Sequence, residues 1–410
     1  MQVREADTLA RLNAALERAR AGVALYRERL PAGPLASLEQ VAELPFTVKD
    51  DFRASYPFGM LAVPREQVVR AHMSSGTTGR PIVTGYTRAD LDGWAERMAR
   101  VLAAAEVAPG DVLQNAYGYG LFTGGLGFHL GAERTGCVVV PTSSGVTQRQ
   151  VMLLRDLGTT ILACTPSYAL VLAEAVAEQD ARGDLRLRAG FFGAEPWTDG
   201  MRGEIERGLG LEAFDNYGLT ELGGPGVAVE CHHHDGLHVF EDHYLAEVVD
   251  PETGRPVPIG EPGELVLTSL TREASPVVRY RTRDRTVLVD EACPCGSPFR
   301  RMRKVHGRTD DMLVVRGENV FPSQVEDILL GVNGLTANYQ LVVDRESHQL
   351  DTLAVRIEAR ADADHVGLRE RAEARVKETI GLTVSVTVLA PGALPRSEGK
   401  AKRVIDLREL

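Results

Sequence analysis

A loop rich in Ser, Thr and Gly is the first stretch of the chain whose residue types could carry out chemistry. It consists of Ser74, Ser75, Gly76, Thr77, Thr78 and Gly79, followed by Arg80 and Pro81. Glycine lets a backbone approach a ligand closely, successive N–H groups can converge on an anion, and hydroxyls can donate hydrogen bonds to phosphate oxygens. The loop lacks the Gly-Lys-Ser/Thr ending of a P-loop. On its own it indicates either a polyphosphate site or a flexible connector.

Two further motifs favour the polyphosphate site. The first contains Asp215, Asn216, Tyr217, Gly218, Leu219, Thr220 and Glu221, and the second contains Gly307, Arg308, Thr309, Asp310 and Asp311. With the loop, they resemble the adenylate-forming superfamily of acyl-CoA ligases, aryl-CoA ligases and peptide-synthetase adenylation domains. The resemblance sharpens to the phenylacetate–CoA ligase family, because four more blocks occur in that family's order, at residues 117–127, 193–197, 279–284 and 319–324.

This resemblance covers nearly the whole chain, and it implies a two-step reaction. An aromatic carboxylic acid is activated by ATP to an aryl-adenylate, and the acyl group is then transferred to CoA, so ATP, Mg²⁺ and CoA are the expected cofactors. Both steps build charge on phosphate or carbonyl oxygens, which calls for preorganised donors and cations rather than a covalent nucleophile.

Two alternative functions stay open. One is an adenylating enzyme that passes the acyl or adenylyl group to a carrier-protein thiol, another nucleophile or a deazaflavin coenzyme. The other is a catalytically inactive nucleotide-binding protein. The presence of Glu221, Asp284 and Lys400 argues against the inactive protein, because such descendants commonly lose one of these groups.

The resemblance also assigns the nucleotide site. Residues 74–79 would hold the β- and γ-phosphates, and Thr220 would reach the α-phosphate. Glu221 would bind Mg²⁺, a hard cation that prefers oxygen ligands. Tyr217 would stack near the adenine, and the remaining nucleotide positions are Gly193, Ala194, Glu195, Pro196, Asp215, Asn216 and Gly218.

Two charged residues complete that site by resemblance. Asp284 would accept hydrogen bonds from the ribose hydroxyls, and Arg308 would contact the nucleotide at a domain boundary. Because Arg279, Arg281 and other arginines surround Asp284 in the sequence, an ordinary ion pair is the alternative for both residues.

A lysine near the C-terminus matches the family's catalytic lysine. Lys400 would bridge the substrate carboxylate and the ATP phosphates during adenylation, and Lys402 is its rival. The lysine would lie on a mobile domain whose rotation about a hinge at Asp310 replaces it with a CoA-binding face. The residues assigned to that face are Arg316, Gly317 and Glu318.

The acyl pocket is assigned to two segments. Tyr117, Tyr119 and Phe122 would form an aromatic wall that stacks on a ring, with a glycine-rich strand end in the core as the alternative interpretation. The facing segment contains Gly223, Gly224 and Pro225. Since the family usually has a larger apolar residue at position 223, the glycine predicts a larger pocket and a substituted aryl acid, such as an amino- or hydroxybenzoate.

A metal site is predicted from cysteines and a histidine. Cys231, His238, Cys293 and Cys295 form a Cys₃His set suited to tetrahedral Zn²⁺, and with no position left for water the site would be structural. Three consecutive histidines at residues 232–234 could compete with His238.

Composition limits the partners. The 410-residue chain has 44% hydrophobic and 25% charged residues and a net charge of -11, which argues against nucleic acid. It has no apolar run of the ~20 residues that cross a membrane. The acidic start without a hydrophobic core predicts a cytoplasmic protein. Relatives in this family often form dimers, so a homodimer is one expectation.

The elements that must position these residues follow from periodicity. Apolar residues from Leu9 to Leu30 recur at helical spacing, which predicts an amphipathic opening helix packed on the core. Strand-like runs then alternate with helical patterns from about residue 85 to 215, which indicates βαβ units around a buried parallel sheet. The predicted strands are residues 137–141, 161–164 and 189–192, and the predicted helices are residues 148–157 and 168–179.

The pattern changes twice towards the C-terminus. From about residue 226 to 305, alternating runs and turns predict a small antiparallel, barrel-like portion. Beyond residue 307 the pattern predicts a small α+β domain, with helices at 324–330 and 364–380 and strands at 339–343, 352–358 and 384–389. The expected organisation is an α/β core domain over residues 1–307 and a mobile C-terminal domain over residues 308–410.

Overall fold

The computed structural model describes residues 2–74, 80–305, 307–308, 312–315, 318–345, 351–363 and 365–408. The helices in this part of the chain are α1 Gln2–Gly22, α2 Ala24–Arg29, α3 Lys49–Ala54, α4 Arg88–Ala103, α5 Thr123–Thr135, α6 Thr147–Asp156, α7 Pro166–Glu178, α8 Asp199–Leu209, α9 Pro322–Leu330 and α10 Leu368–Ile380.

The strands are β1 Arg70–Met73, β2 Val83–Tyr86, β3 Val112–Asn115, β4 Val138–Val140, β5 Ile161–Cys164, β6 Ala189–Gly193, β7 Glu212–Leu219, β8 Gly224–Glu230, β9 Leu237–Val239, β10 Tyr244–Val249, β11 Pro262–Ser269, β12 Tyr280–Val289, β13 Arg301–Met302, β14 Leu313–Val315, β15 Glu318–Val320, β16 Leu335–Asp344, β17 Thr352–Ala359, β18 Ser385–Leu389 and β19 Val404–Asp406.

The predicted opening helix is confirmed, but it breaks once. Val23 has an extended backbone and separates α1 from α2. The apolar stripe faces the core as expected, since Leu9 is half-buried. The rest of the stripe is buried, namely Leu12, Leu16, Ala19, Val23, Tyr26 and Leu30.

A sheet of eleven strands runs through the larger lobe in the order β10-β11-β12-β13-β9-β8-β7-β6-β5-β3-β4. Strands β3 to β7 pair in parallel, as predicted. From β7 onwards every neighbouring pair is antiparallel, which confirms the predicted change of pattern after residue 226. The antiparallel strands continue the same sheet.

Both faces of the parallel part are buried. In β5, Ile161 and Ala163 join the hydrophobic core shared with α1, α4 and α5, whereas Leu162 and Cys164 join the core shared with α6, α7 and α8. Successive side chains of a strand point to opposite faces, so helices must cover both sides. This explains why the strand is a continuous apolar run rather than an alternating one.

The smaller lobe has its own four-stranded sheet in the order β18-β17-β16-β19 and its own core. The predicted helices and strands of this lobe are confirmed, although α10 begins at Leu368, later than expected. Strand β19 was not predicted; it pairs in parallel with β16.

The boundary between the two lobes stays a prediction, because the hinge residue Asp310 lies outside the described residues. Across the described ranges, no helix combines the length and the apolar character that crossing a bilayer would require.

Candidate active site

The site residues come together because parallel strands end at one edge of the sheet. Tyr117 follows β3, Thr165 follows β5, Glu195 follows β6, and Glu221 follows β7. The carboxyl ends of such strands form the usual ligand crevice of an open α/β sheet. Motifs that are far apart in sequence therefore share one cleft.

Asp284 is the centre of a buried polar cluster. The Tyr217 hydroxyl donates a hydrogen bond to Asp284 Oδ2 at 2.5 Å, and Arg308 Nη1 donates to Oδ1 at 3.1 Å. An isolated backbone bridge also joins Asp284 to Arg308. Burial, followed by the charge of Asp284, raises the pKa of Tyr217 well above its usual value, so the phenol stays protonated. The structure thus brings together Tyr217, Asp284 and Arg308, three of the residues predicted for the nucleotide, and Asp284 and Arg308 form the ion pair named above as the alternative.

Glu221 lies in the turn Thr220–Leu222, directly after β7, and is buried. The Tyr280 hydroxyl donates to Glu221 Oε1 at 3.0 Å. One oxygen is thereby fixed, while no bond to Oε2 is found among the described residues. A carboxylate held in this way fits a hard cation such as Mg²⁺, which takes one or two carboxylates together with phosphate oxygens.

Glu195, predicted to contact the adenine, accepts two hydrogen bonds within the protein. One carboxylate oxygen accepts from Ser167 N at 2.8 Å, at the start of α7, and the other accepts from Ala401 N at 3.0 Å. A carboxylate at a helix N-terminus is stabilised by the unpaired N–H groups there.

Gly193, two residues before Glu195, must be glycine, because an added Cβ would lie 2.1 Å from Asn216 O on the adjacent strand.

Lys400 lies on a loop of the smaller lobe that rests on the larger lobe. Thr165 Oγ1, which also caps α7, donates to Gly399 O at 3.1 Å. The Lys400 side chain keeps contact with solvent. Nevertheless, surrounding protein lowers the pKa of its ammonium, while the charge of Glu195 raises it, Arg308 lowers it and Glu221 raises it. The loop that carries Lys400 therefore contacts the larger lobe on both sides of the lysine, at Thr165 and at Glu195.

Several predicted residues are described only in part or not at all. Ser74 closes the loop between β1 and β2, since its Oγ accepts from Ile82 N at 2.9 Å. The other phosphate-loop residues, the hinge Asp310, and Arg316 and Gly317 of the CoA-binding face lie outside the described residues. Glu318 has a described backbone in β15 only.

The three aromatic residues of the predicted acyl wall differ in environment. Tyr117 is buried and stacks on Phe128 with ring centroids 5.3 Å apart and planes 8° apart. The Tyr119 hydroxyl accepts from Asn115 Nδ2 at 2.8 Å. Phe122 is 48% exposed. One face of the Tyr117 ring is therefore occupied by Phe128, a residue that the sequence did not single out.

The structure contradicts the premise of a pocket enlarged at Gly223. This glycine has a φ of +94°, and an added Cβ would lie 2.5 Å from Nη1 of the buried Arg272. The guanidinium also donates to Thr84 Oγ1 at 2.9 Å and packs over the Tyr86 ring at 4.3 Å. The missing side chain leaves no free space, so the prediction of a pocket enlarged at this position was wrong, whereas the substituted aryl acid stays a prediction.

Asp215 lies beside a second carboxylate. Its backbone N–H donates to Glu230 Oε2 at 2.8 Å, and Glu230 is paired with Arg202 at 2.6 Å. Burial, followed by the negative charge of Glu230, raises the pKa of Asp215 to about 7. The Asp215 carboxyl is thus partly protonated near neutral pH.

The four predicted zinc ligands meet in the larger lobe, with all their donor atoms within 4.8 Å of one another. Cys231 Sγ and Cys293 Sγ are 3.7 Å apart, close to the ~3.8 Å edge of a tetrahedron with Zn–S bonds of about 2.3 Å. His238 Nδ1 lies 3.1 Å from Phe299 O, which fixes Nε2 towards Cys295 Sγ at 3.3 Å. His234 instead contacts Glu212 and Glu230, so it does not compete.

Comparisons with known proteins agree with this geometry. Residues 8–271 match the AMP-binding enzyme family, and residues 317–408 match the AMP-binding enzyme C-terminal domain. The chain is 50% identical to a phenylacetate-coenzyme A ligase of Thermus thermophilus over 393 residues, covering 91% of this chain and 88% of that protein.

One solved enzyme is similar in two conformations. A 2-hydroxyisobutyryl-CoA ligase in its postadenylation state matches with a TM-score of 0.92 and 30% identity, over 99% of this chain and 90% of that one. The same enzyme in its thioesterification state, with CoA, matches with a TM-score of 0.73 and 31% identity, over 100% of this chain and 90% of that one. The lobes of the present chain are therefore arranged more like those of the postadenylation state.

Proposed function

The chain belongs to the AMP-binding enzyme family, within the group of phenylacetate–coenzyme A ligases, and we propose that it activates an aryl acid with ATP and transfers the acyl group to CoA. The observation that carries the proposal is the docking of the Lys400 loop on the larger lobe, where Gly399 O accepts from Thr165 Oγ1 and Ala401 N donates to Glu195. The alternative acceptors are not favoured, because the relative with half of its residues identical is a CoA ligase by name.

Each charged group of the proposed site has a different role. Mg²⁺ held by Glu221 would neutralise phosphate charge as pyrophosphate leaves. The Lys400 ammonium would hold the substrate carboxylate against the α-phosphate, which converts a bimolecular encounter into an oriented one. Asp284, fixed by Tyr217 and Arg308, would orient the ribose through its two carboxylate oxygens.

The lysine provides the test of this function. We expect Lys400→Ala to abolish pyrophosphate exchange that depends on an aryl acid. Phenylacetate is the first of several aryl acids to be tested. Thioester formation from a supplied acyl-adenylate and CoA should persist, because that half-reaction does not need the lysine. Lys402→Ala is the matched control and should retain exchange. Equal loss of both half-reactions in Lys400→Ala would refute the assignment.

The Cys₃His cluster supports a structural zinc ion as a further proposal. Metal analysis of the purified protein should find about one zinc ion per chain, because three thiolates and an imidazole suit tetrahedral Zn²⁺. Cys293→Ser should lose the metal, whereas Cys137→Ser, outside the cluster, should keep it. Metal-free protein in which Cys231, Cys293 and Cys295 react freely with thiol reagents would contradict the proposal. A homodimer and a cytoplasmic location stay predictions.

A further inference from the structure

We propose that Glu174 on α7 is a positioning residue that fixes the Lys400 loop in the arrangement needed for adenylation. The proposal rests on the function proposed above, because its half-reaction assays measure that function. It goes beyond that function because it identifies an ion pair that docks the Lys400 loop on the larger lobe. Glu174 belongs to the larger lobe and has no place among the predicted site residues.

The contact is made through Arg396, four residues before Lys400. Arg396 Nε and Nη2 donate to the two oxygens of Glu174 at 2.7 and 2.9 Å. The same guanidinium donates to the two oxygens of Glu358 on β17 at 2.9 and 2.8 Å. Bidentate arginine–carboxylate pairs of this kind fix the orientation of the two side chains as well as their distance. Asn338 Nδ2 adds a third small-lobe contact to Glu174 at 2.9 Å.

The electrostatics suit a contact that forms and breaks. Glu358 belongs to the same lobe as Arg396 and is buried, so the guanidinium keeps a carboxylate partner whenever the lobes separate. The Glu174 side chain is 40% exposed, so its carboxylate is readily hydrated after separation. Breaking a buried pair leaves an uncompensated charge, but neither partner here is left in that condition. The pair can therefore favour one lobe arrangement without preventing the other.

The Glu174–Arg396 pair fixes the loop that carries Lys400, because it lies close to the lysine in the sequence. Arg396 and the Gly399–Thr165 hydrogen bond hold the loop at both ends of residues 396–399, and Glu195 fixes the N–H of Ala401. A second inter-lobe pair joins Arg360 to Glu204 at 3.2 Å, far along the sequence from the lysine. Glu204 therefore provides a matched control, since it docks the same lobe but not the same loop.

The first experiment measures the two half-reactions of Glu174→Gln. Pyrophosphate exchange should fall about fivefold, the effect of losing roughly 1 kcal/mol from a partly exposed, charge-assisted contact. Thioester formation from a supplied adenylate should stay within about twofold of the native rate. Exchange by the native protein should weaken with added salt, which screens exposed charges. Exchange by Glu174→Gln should depend less on salt.

The second experiment does not need activity. Trypsin cleaves after Lys400 and Lys402, and the docked loop should resist it, so Glu174→Gln should be cleaved there about fivefold faster than the native protein. Glu204→Gln should be affected less in both experiments. Equal loss in both half-reactions, or equal effects of the two variants, would overturn the proposal. Absence of any exchange in native protein would instead refute the proposed function, while the cleavage rates would still decide on Glu174.

Discussion

Replacing Gly223 by alanine tests whether this position is a pocket wall or a packed turn. The residue has a φ of +94°, and its Cβ position lies 2.5 Å from Arg272 Nη1. The guanidinium cannot simply move away, because Nη2 donates to Thr84 Oγ1 and to Gly85 O. Two separate costs therefore follow from one added methyl group.

The expected loss of unfolding free energy has two parts, one from the backbone conformation and one from the contact with Arg272. A left-handed backbone costs a residue other than glycine roughly 1–2 kcal/mol. Forcing an extra carbon into a packed interior costs about 1–3 kcal/mol more. Gly223→Ala should thus lower the free energy of unfolding by about 2–5 kcal/mol. Gly260→Ala is the matched control, since Gly260 has the same φ of +94° but no atom within 4 Å of its Cβ position.

The measurement is urea unfolding followed by tryptophan fluorescence. Both tryptophans of the chain, Trp94 and Trp197, lie in the larger lobe, so the signal reports the lobe that contains both glycines. The control should lose only the backbone cost, about 1–2 kcal/mol. If Gly223→Ala is no less stable than the control, the contact with Arg272 is not a constraint, and the position is free to shape the pocket.

Two further predictions concern pH. Glu195→Gln removes the carboxylate that most raises the pKa of Lys400, so the alkaline loss of pyrophosphate exchange, which occurs as the ammonium deprotonates, should move to lower pH. An unchanged alkaline limb of the pH profile would contradict this. The pKa of Asp215 is raised to about 7 from 3.8. The contribution of its carboxyl group to the free energy of unfolding is therefore fully present below pH 4 and is lost as pH rises through 7. Asp215→Asn should therefore be more stable than the native protein at pH 8.5 and no more stable at pH 4 in urea unfolding, and a gain independent of pH would refute the cause.

Much of the fold could be predicted from the sequence because its signals are local. The run Ile161–Cys164 is apolar throughout and is followed by Thr165 and Pro166, a helix cap and a favoured first helical residue. Such strand-to-helix units specify a parallel sheet, and the sheet brings Tyr217, Glu221 and Glu195 to one edge. Strand β19 gave no comparable signal, because it has three residues and forms only when β16 offers its edge.

The contacts at the site that the sequence did not predict join distant segments. Glu195 accepts from Ala401, 206 residues away, and nothing in the local pattern around either residue indicates that bond. Gly223 was interpreted as empty space, but its neighbour is Arg272 from another segment. Motif resemblance predicts which residues contact the ligand. Only the folded chain shows which of their atoms are already engaged.

The order of the small sheet has a mechanical consequence. The segment that carries Lys400 leaves β18 at one edge of the sheet and re-enters as β19 at the opposite edge. Because both of its ends are hydrogen-bonded into the small sheet, we expect the segment to follow any movement of that lobe. Loss of the three-residue pairing between β19 and β16 would free one end of the segment.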